Sequence, residues 1–205
     1  MDHVRNALVA IFLLLMLAIN AQEFESQLKA FESSYASESS GAYQDAIKSI
    51  TDVYKPDSYE MNLRLGWLYY SSKSYDEACR YYQKSFQLRP LSVEARLGYA
   101  YAAAELGNWT QVEAQYVEIL KTDAMNTTAN YRMGLICYNR LDYTSALKYF
   151  TVTLNQYSFD YETAIMVAWT ELKLGKLREA KIMFQKTLLI RPSDKSAQEG
   201  LTLIQ

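Results

Sequence analysis

The residues able to do chemistry are few, and they point away from catalysis. One histidine, His3, and two cysteines, Cys79 and Cys137, occur in 205 residues. His3 lies in an amino-terminal segment expected to be removed, which leaves the mature chain without imidazole. Ser-His-Asp and Cys-His nucleophile arrangements are thereby excluded, and the commonest metal ligand is lost. Carboxylates alone can form an acid–base pair, but no spacing among the 23 Asp and Glu residues assembles one. The expectation is a non-enzymatic protein with no cofactor and no metal. What the chain has in excess is aromatic surface, with 18 tyrosines, 7 phenylalanines and 3 tryptophans. Such rings bind by burying area, by stacking and by cation–π attraction, so the chemistry on offer is recognition.

The rest of the composition bounds the class of protein. Half of the residues are apolar, enough for one substantial globular or repeat domain. Charged residues make up 21% with a formal net charge of −2, and no block of like charges stands out. That balance offers little to a phosphate backbone, so nucleic acid is not an expected partner. With only 3 prolines and 7 glycines, the composition reads as helical. Asn108-Trp109-Thr110 and Asn126-Thr127-Thr128 are glycosylation sequons, of consequence only in a eukaryote. Asn108 has a competing reading as a helix cap.

At the amino terminus, Arg5 and His3 precede an uninterrupted apolar run from Ala7 to Ile19, followed by Asn20-Ala21-Gln22-Glu23. A short basic start, an apolar run of this length and small residues before a polar switch predict a secretory signal peptide over residues 1–21, cleaved after Ala21. The run is short of the ~20 residues needed to cross a bilayer as a helix. No cysteine follows it to carry a lipid, so no stable membrane anchor is expected after cleavage. The mature chain, residues 22–205, is expected to be secreted or periplasmic.

The elements that must position the aromatic residues repeat every 34 residues without a gap, over 59–92, 93–126, 127–160 and 161–194. Position 8 of the unit is Gly66, Ala100, Gly134 and Ala168, and position 20 is Ala78, Val112, Ala146 and Ala180. Small residues there let two helices of a hairpin cross closely. Position 17 is Tyr75, Trp109, Tyr143 and Leu177; position 24 is Tyr82, Tyr116, Phe150 and Phe184; position 28 is Phe86, Leu120, Leu154 and Leu188. Those three positions share one helical face and fill the space beside the crossing. A turn is predicted near positions 15 and 16, where Gly107 and Gly175 can take positive φ. Ser74 with Glu77, and Asn108 with Gln111, fit capping boxes for the second helix, while Pro90 and Pro192 stop it. A weaker unit over about 27–58 carries Gly41, Tyr43, Ala46, Ile50 and Tyr54 in matching positions. After the last unit, Ser193 is placed to cap a helix over 194–205, in which Ala197, Leu201 and Ile204 share a face.

This pattern resembles the tetratricopeptide repeat family, most closely in Leu65-Gly66, Tyr69, Ala78, Tyr82 and Pro90. The last unit departs from it at Glu171, where the family has an aromatic residue. The resemblance spans nearly all of the mature chain and implies an all-α, right-handed superhelical array of about five helix-turn-helix hairpins with a carboxy-terminal capping helix. Period and mild acidity set it apart from the related repeats that read RNA. Cys79 and Cys137 would lie two stacked units apart, out of disulfide range.

In the family's architecture the first helices line a concave face. The resemblance carries onto that face Trp67, Tyr101 and Trp169 at position 9, with Tyr35 from the weak unit, and Tyr70 and Tyr138 at position 12. Leu63, Leu97, Tyr131 and Ile165 follow at position 5. Arg64, Arg132 and Lys173, with Glu60, Glu94, Glu105 and Glu162, border it. The lysine and asparagine that grip a terminal carboxylate in one known groove of the family are replaced here by apolar residues, so that ligand is not expected. The implied function is an interaction scaffold that binds a partner peptide or helix. Trp67, Tyr70, Tyr101, Tyr138 and Trp169 would be the anchors, with Arg64 and Arg132 as orienting charges. A carbohydrate-binding groove using the same aromatic rings is the alternative.

Overall fold

The computed structural model describes the backbone of residues 2–204 and the side chains of residues 21–204. Among the described residues all regular structure is helical. The chain divides into two compact units, Met1–Leu106 and Gly107–Gln205. The first contains α1 (Asp2–Ser39), α2 (Tyr43–Thr51), α3 (Tyr59–Ser71), α4 (Tyr75–Leu88) and α5 (Val93–Glu105). The second contains α6 (Trp109–Thr122), α7 (Thr127–Asn139), α8 (Tyr143–Gln156), α9 (Tyr161–Lys173), α10 (Leu177–Ile190) and α11 (Lys195–Thr202). Within each unit, consecutive helices pack as antiparallel hairpins, and α3 also touches α5 as α9 touches α11. The expected signal segment, residues 1–21, lies outside the described side chains except for Ala21. Among the residues whose side chains are described, no helix is long and apolar enough to cross a membrane.

The hairpins close as their small residues dictate. Ala78, Ala146, Ala168 and Ala180 are wholly buried, and the position-24 rings Tyr82, Phe150 and Phe184 fill the space beside them. Gly66 and Gly134 face those rings so closely that an added Cβ would fall within 2.8 Å of Tyr82 and 2.5 Å of Phe150. Between the helices, Gly41, Gly107 and Gly175 take the expected left-handed conformation. Lys73 and Leu141 occupy the same turn position and adopt it too, each with φ of 63°. A side chain is strained there by roughly 1–2 kcal/mol. Leu141 is 70% exposed and gives up little burial. Leu141→Gly should therefore stabilise the second unit by about 0.5–1 kcal/mol, part of the relieved strain being offset by greater freedom in the unfolded chain. Thermal unfolding would show it as an upward shift of the midpoint.

The caps differ from the sequence expectation. Ser74 and Asn108 stand at the starts of α4 and α6 but make no side-chain capping bond. Glu77 turns instead to Arg80, at 2.5 Å. Most of the caps that form are at the end of a unit and start the next first helix. Ser58, Ser92, Asn126, Asp160 and Asp194 each accept the backbone N–H three residues on. Asp194, not Ser193, caps α11. The first helices follow extended linkers whose orphan N–H groups need an acceptor; among the second helices α8 is capped as well, by Asp142, which follows the left-handed Leu141 and accepts from the Ser145 N–H at 3.0 Å. This capping also reverses the reading of the sequons, since the Asn126 side chain is the working cap.

Two units carry a further tie that the period alone did not announce. Tyr59 exchanges a hydrogen bond of 2.7 Å with the Ser92 cap, and Arg89 stacks on its ring at 4.0 Å. In the same positions of the last unit, Tyr161 donates to Asp194 at 2.5 Å and Arg191 stacks at 3.4 Å. Part of the tyrosine excess is thus structural. At the carboxy end, Ala197 is buried and Leu201 and Ile204 pack against Phe184 and its neighbours, so α11 covers the flank of the last hairpin.

Candidate functional site

Helices α3 and α5 present matching faces in the first unit, because residues three and four apart align along a helix. From α3 come Leu63, Trp67 and Tyr70, and from α5 come Val93, Glu94, Leu97, Gly98 and Tyr101. Tyr82 of α4 closes the bottom. Together they line an open cavity of about 540 Å³ that is almost wholly apolar. Trp67 is 48% exposed at its mouth, its ring centroid 6.3 Å from that of Tyr70. Tyr82 is there because Gly98 leaves room: a Cβ on Gly98 would lie 2.3 Å from the ring. Burial raises the Tyr82 pKa, and the charges of Glu94 and Tyr70 raise it further, so the phenol stays protonated.

A second cavity, about 470 Å³, adjoins the first and shares Leu63, Trp67 and Glu94 with it. Its other wall is the end of α1, with Phe31, Tyr35 and Glu38. The described part of α1 therefore flanks the aromatic cavity rather than filling it. Arg64 lies between, only 6% exposed. Its Nε donates to Ser34 at 3.1 Å, its Nη1 to Glu38 at 2.5 Å, and its guanidinium covers the Tyr35 ring at 3.9 Å. Glu38 also accepts the Trp67 indole N–H. Arg64 is thus occupied inside the molecule, although its Nη2 is buried without an acceptor.

The second unit places its aromatic residues differently. Tyr138 packs edge-on against Tyr143 of its own hairpin, centroids 5.2 Å apart. In the first unit Tyr70 meets Tyr75 with tilted rings, centroids 5.7 Å apart. Trp169 lies beneath α11, its indole donating to Ser196 at 2.8 Å and its ring set edge-on to Phe184 at 5.1 Å. Arg132 is exposed on α7. The structure thus brings Trp67, Tyr70 and Tyr101 around one cavity, sets Arg64 beside it, and leaves Tyr138 and Trp169 within hairpin and cap contacts.

Sequence reasoning missed two members of the site. Tyr82 reads as core, and the mid-helix Gly98 was the available sign that a ring lies against the backbone. Glu38 belongs to the weak first unit, where no period marks it. Cys79 and Cys137 are both free thiols. Burial, with a smaller contribution from Asp76, pushes the Cys79 thiol up to about 11, and burial raises Cys137 as well. Neither has the low pKa of a reactive thiolate. Among the described residues no group of three potential metal ligands comes together.

A tetratricopeptide repeat family model matches residues 35–85 and 63–111, the region that builds this cavity. No curated protein matches the chain. Among solved structures, the chain is similar to MamA, with a TM-score of 0.72 at 18% identity over 82% of this chain and 93% of that one. It is also similar to a tetratricopeptide repeat protein from Parabacteroides merdae, with a TM-score of 0.75 at 20% identity over 88% of this chain and 72% of the other. At such identities the likeness speaks for the fold. Residues 35–111 thus match the tetratricopeptide repeat family, and the 34-residue period and the shared helical-repeat fold carry the same architecture through the rest of the hairpins.

Proposed function

We propose that the chain is an exported, non-enzymatic scaffold that binds a partner peptide or helix in the aromatic cavity of its first unit. Trp67, Tyr70 and Tyr101 are the anchors. The observation that carries the reading is the cavity itself: open, apolar, lined from two helices, and walled by a tryptophan that remains half exposed. Exposed apolar surface of this kind on a folded chain marks an interaction site, and Trp and Tyr are the side chains that dominate such sites. Arg64 holds Trp67 in place through Glu38, on which its charge is spent. Tyr138, Trp169 and Arg132 are secondary candidates, since Trp169 would have to shed its contacts with α11 to meet a partner.

Export rests on the amino-terminal pattern of a basic start, an apolar run and a small-residue switch at Ala21. One experiment addresses both halves of the reading. The chain, carrying a carboxy-terminal tag and expressed in its native cell, should be recovered from the envelope or medium without residues 1–21 and with a partner bound. Trp67→Ala/Tyr101→Ala should be exported equally and show the same helical circular dichroism, but lose that partner. Equal capture by both proteins would rule out the groove, and an uncleaved chain retained in the cytoplasm would rule out export.

A further inference from the structure

We propose that the aromatic cavity takes a basic side chain, lysine or arginine, of the bound peptide. The inference rests on the groove reading above and names the chemistry of its occupant. The single charged residue lining the cavity is Glu94. Its neighbours of like charge are matched inside the protein: Glu60 meets Arg89 and Glu38 meets Arg64, each at 2.5 Å. Glu94 is exposed in the first turn of α5, and among the described residues no cation pairs with it. Its carboxylate stands at the mouth of a space walled by Trp67, Tyr70, Tyr82 and Tyr101. Aromatic faces attract cations through their negative quadrupole, most strongly when water is partly excluded, and a carboxylate at the rim adds the matching charge.

The adjoining cavity repeats the bias. It brings Glu38 and Glu60 beside the shared Glu94, and its one cation, Arg64, is already neutralised by Glu38. An anionic ligand would meet carboxylates across both cavities with no uncommitted positive group to receive it. A purely apolar one would leave Glu94 partly desolvated and unmatched. The long alkyl stem of lysine or arginine suits the apolar walls, since such stems lie along apolar surface while the charged end reaches a polar rim.

The test is selection followed by measurement. Random peptides displayed on phage are panned on the full chain, with Trp67→Ala/Tyr101→Ala as the counter-selection, and the best selected peptide is titrated into parent and Glu94→Gln protein. The expected result is enrichment of lysine or arginine flanked by apolar residues. Glu94→Gln should weaken binding on the order of tenfold at low salt, and raising the salt should close that gap because a rim carboxylate is screened. Selected peptides that depend on Trp67 and Tyr101 but show no basic residue, or that bind Glu94→Gln as well as the parent, would overturn this proposal and leave the groove reading intact. If no peptide is retained in a manner that depends on Trp67 and Tyr101, the groove reading falls and this proposal falls with it.

Discussion

Gly98→Ala should destabilise the first unit by about 2 kcal/mol, although alanine is the better helix former. Intrinsic helix preference works in the opposite direction by about 1 kcal/mol. Overpacking a filled interior costs up to about 3 kcal/mol. The upper end applies here because the new methyl would lie 2.3 Å from two ring atoms of Tyr82. The ring cannot simply move off. Its other side faces Gly66, where a Cβ would already lie within 2.8 Å, and the ring is only 4% exposed. Tyr82 is therefore held between the backbones of α3 and α5, and these two glycines allow the approach. The consequence reaches function, since a displaced Tyr82 would rise into the cavity and lower peptide affinity as well. Urea unfolding of Gly98→Ala, Tyr82→Leu and the double variant measures the effect. The double variant should be at least about 1 kcal/mol more stable than the sum of the singles implies, because the leucine no longer collides with the new methyl. A single variant within about 0.5 kcal/mol of the parent would mean that α5 shifts freely and that the ring does not fix the helices.

The same contact shows how much of this molecule was legible in its sequence. The period of 34 residues fixed the hairpins, because close crossings demand small residues at fixed intervals and the rings beside them demand large ones. Gly66, Ala78 and Tyr82 announce that arrangement whatever surrounds them. Features that depend on the path of the chain between helices were harder to read. Ser74-x-x-Glu77 looks like a capping box, yet Glu77 pairs with Arg80 and leaves it unused, and Lys73 before it is not a residue that signals left-handed backbone. The working caps, such as Ser92 and Asp194, have no acidic partner three residues later and so match only half of the known motif. Side chains that meet from the two ends of one repeat unit, such as Tyr161 with Asp194, become visible only when both ends are seen in place.

For the site, a shared repeat position did not mean a shared environment. Trp67 and Trp169 both stand at position 9, but α11 covers Trp169 with Ser196, whereas Trp67 opens on a cavity. The neighbour decides, and the repeat pattern says little about an irregular neighbour. Arg64 makes the point most clearly. It was read as an orienting charge at the groove's border, and its charge is instead spent on Glu38, a residue of the degenerate first unit with no periodic signature. The acidic set of Glu38, Glu60 and Glu94 then outweighs it.

That pairing yields the second large expectation, an asymmetry between its two partners. Glu38→Gln should cost about 2–3 kcal/mol, while Arg64→Met should cost less than about 1 kcal/mol. Removing one member of a buried ion pair strands the other, at a typical cost of about 3–5 kcal/mol. The figure is reduced here because the Glu38 side chain keeps 22% of its surface in water. With Glu38 neutral, the Arg64 guanidinium remains at 6% exposure without its ion-pair partner, and the Trp67 indole loses its carboxylate acceptor. Removing Arg64 is a different loss. Methionine keeps an apolar stem in the buried site though it gives up the guanidinium stack on Tyr35, the orphan Nη2 disappears, and Glu38 retains both Trp67 and solvent. Urea unfolding of the two variants provides the comparison, and tryptophan fluorescence adds a local readout, since Glu38→Gln should free Trp67 while Arg64→Met should not. Equal costs would show that the pair acts as an exposed one and that α1 is held to α3 by its apolar contacts alone. A larger cost for Arg64→Met would mean that the stack on Tyr35 outweighs the ion pair. With the expected order, Glu38 ties the first helix to the groove, and the groove's tryptophan owes its position to a residue that the repeat pattern does not mark.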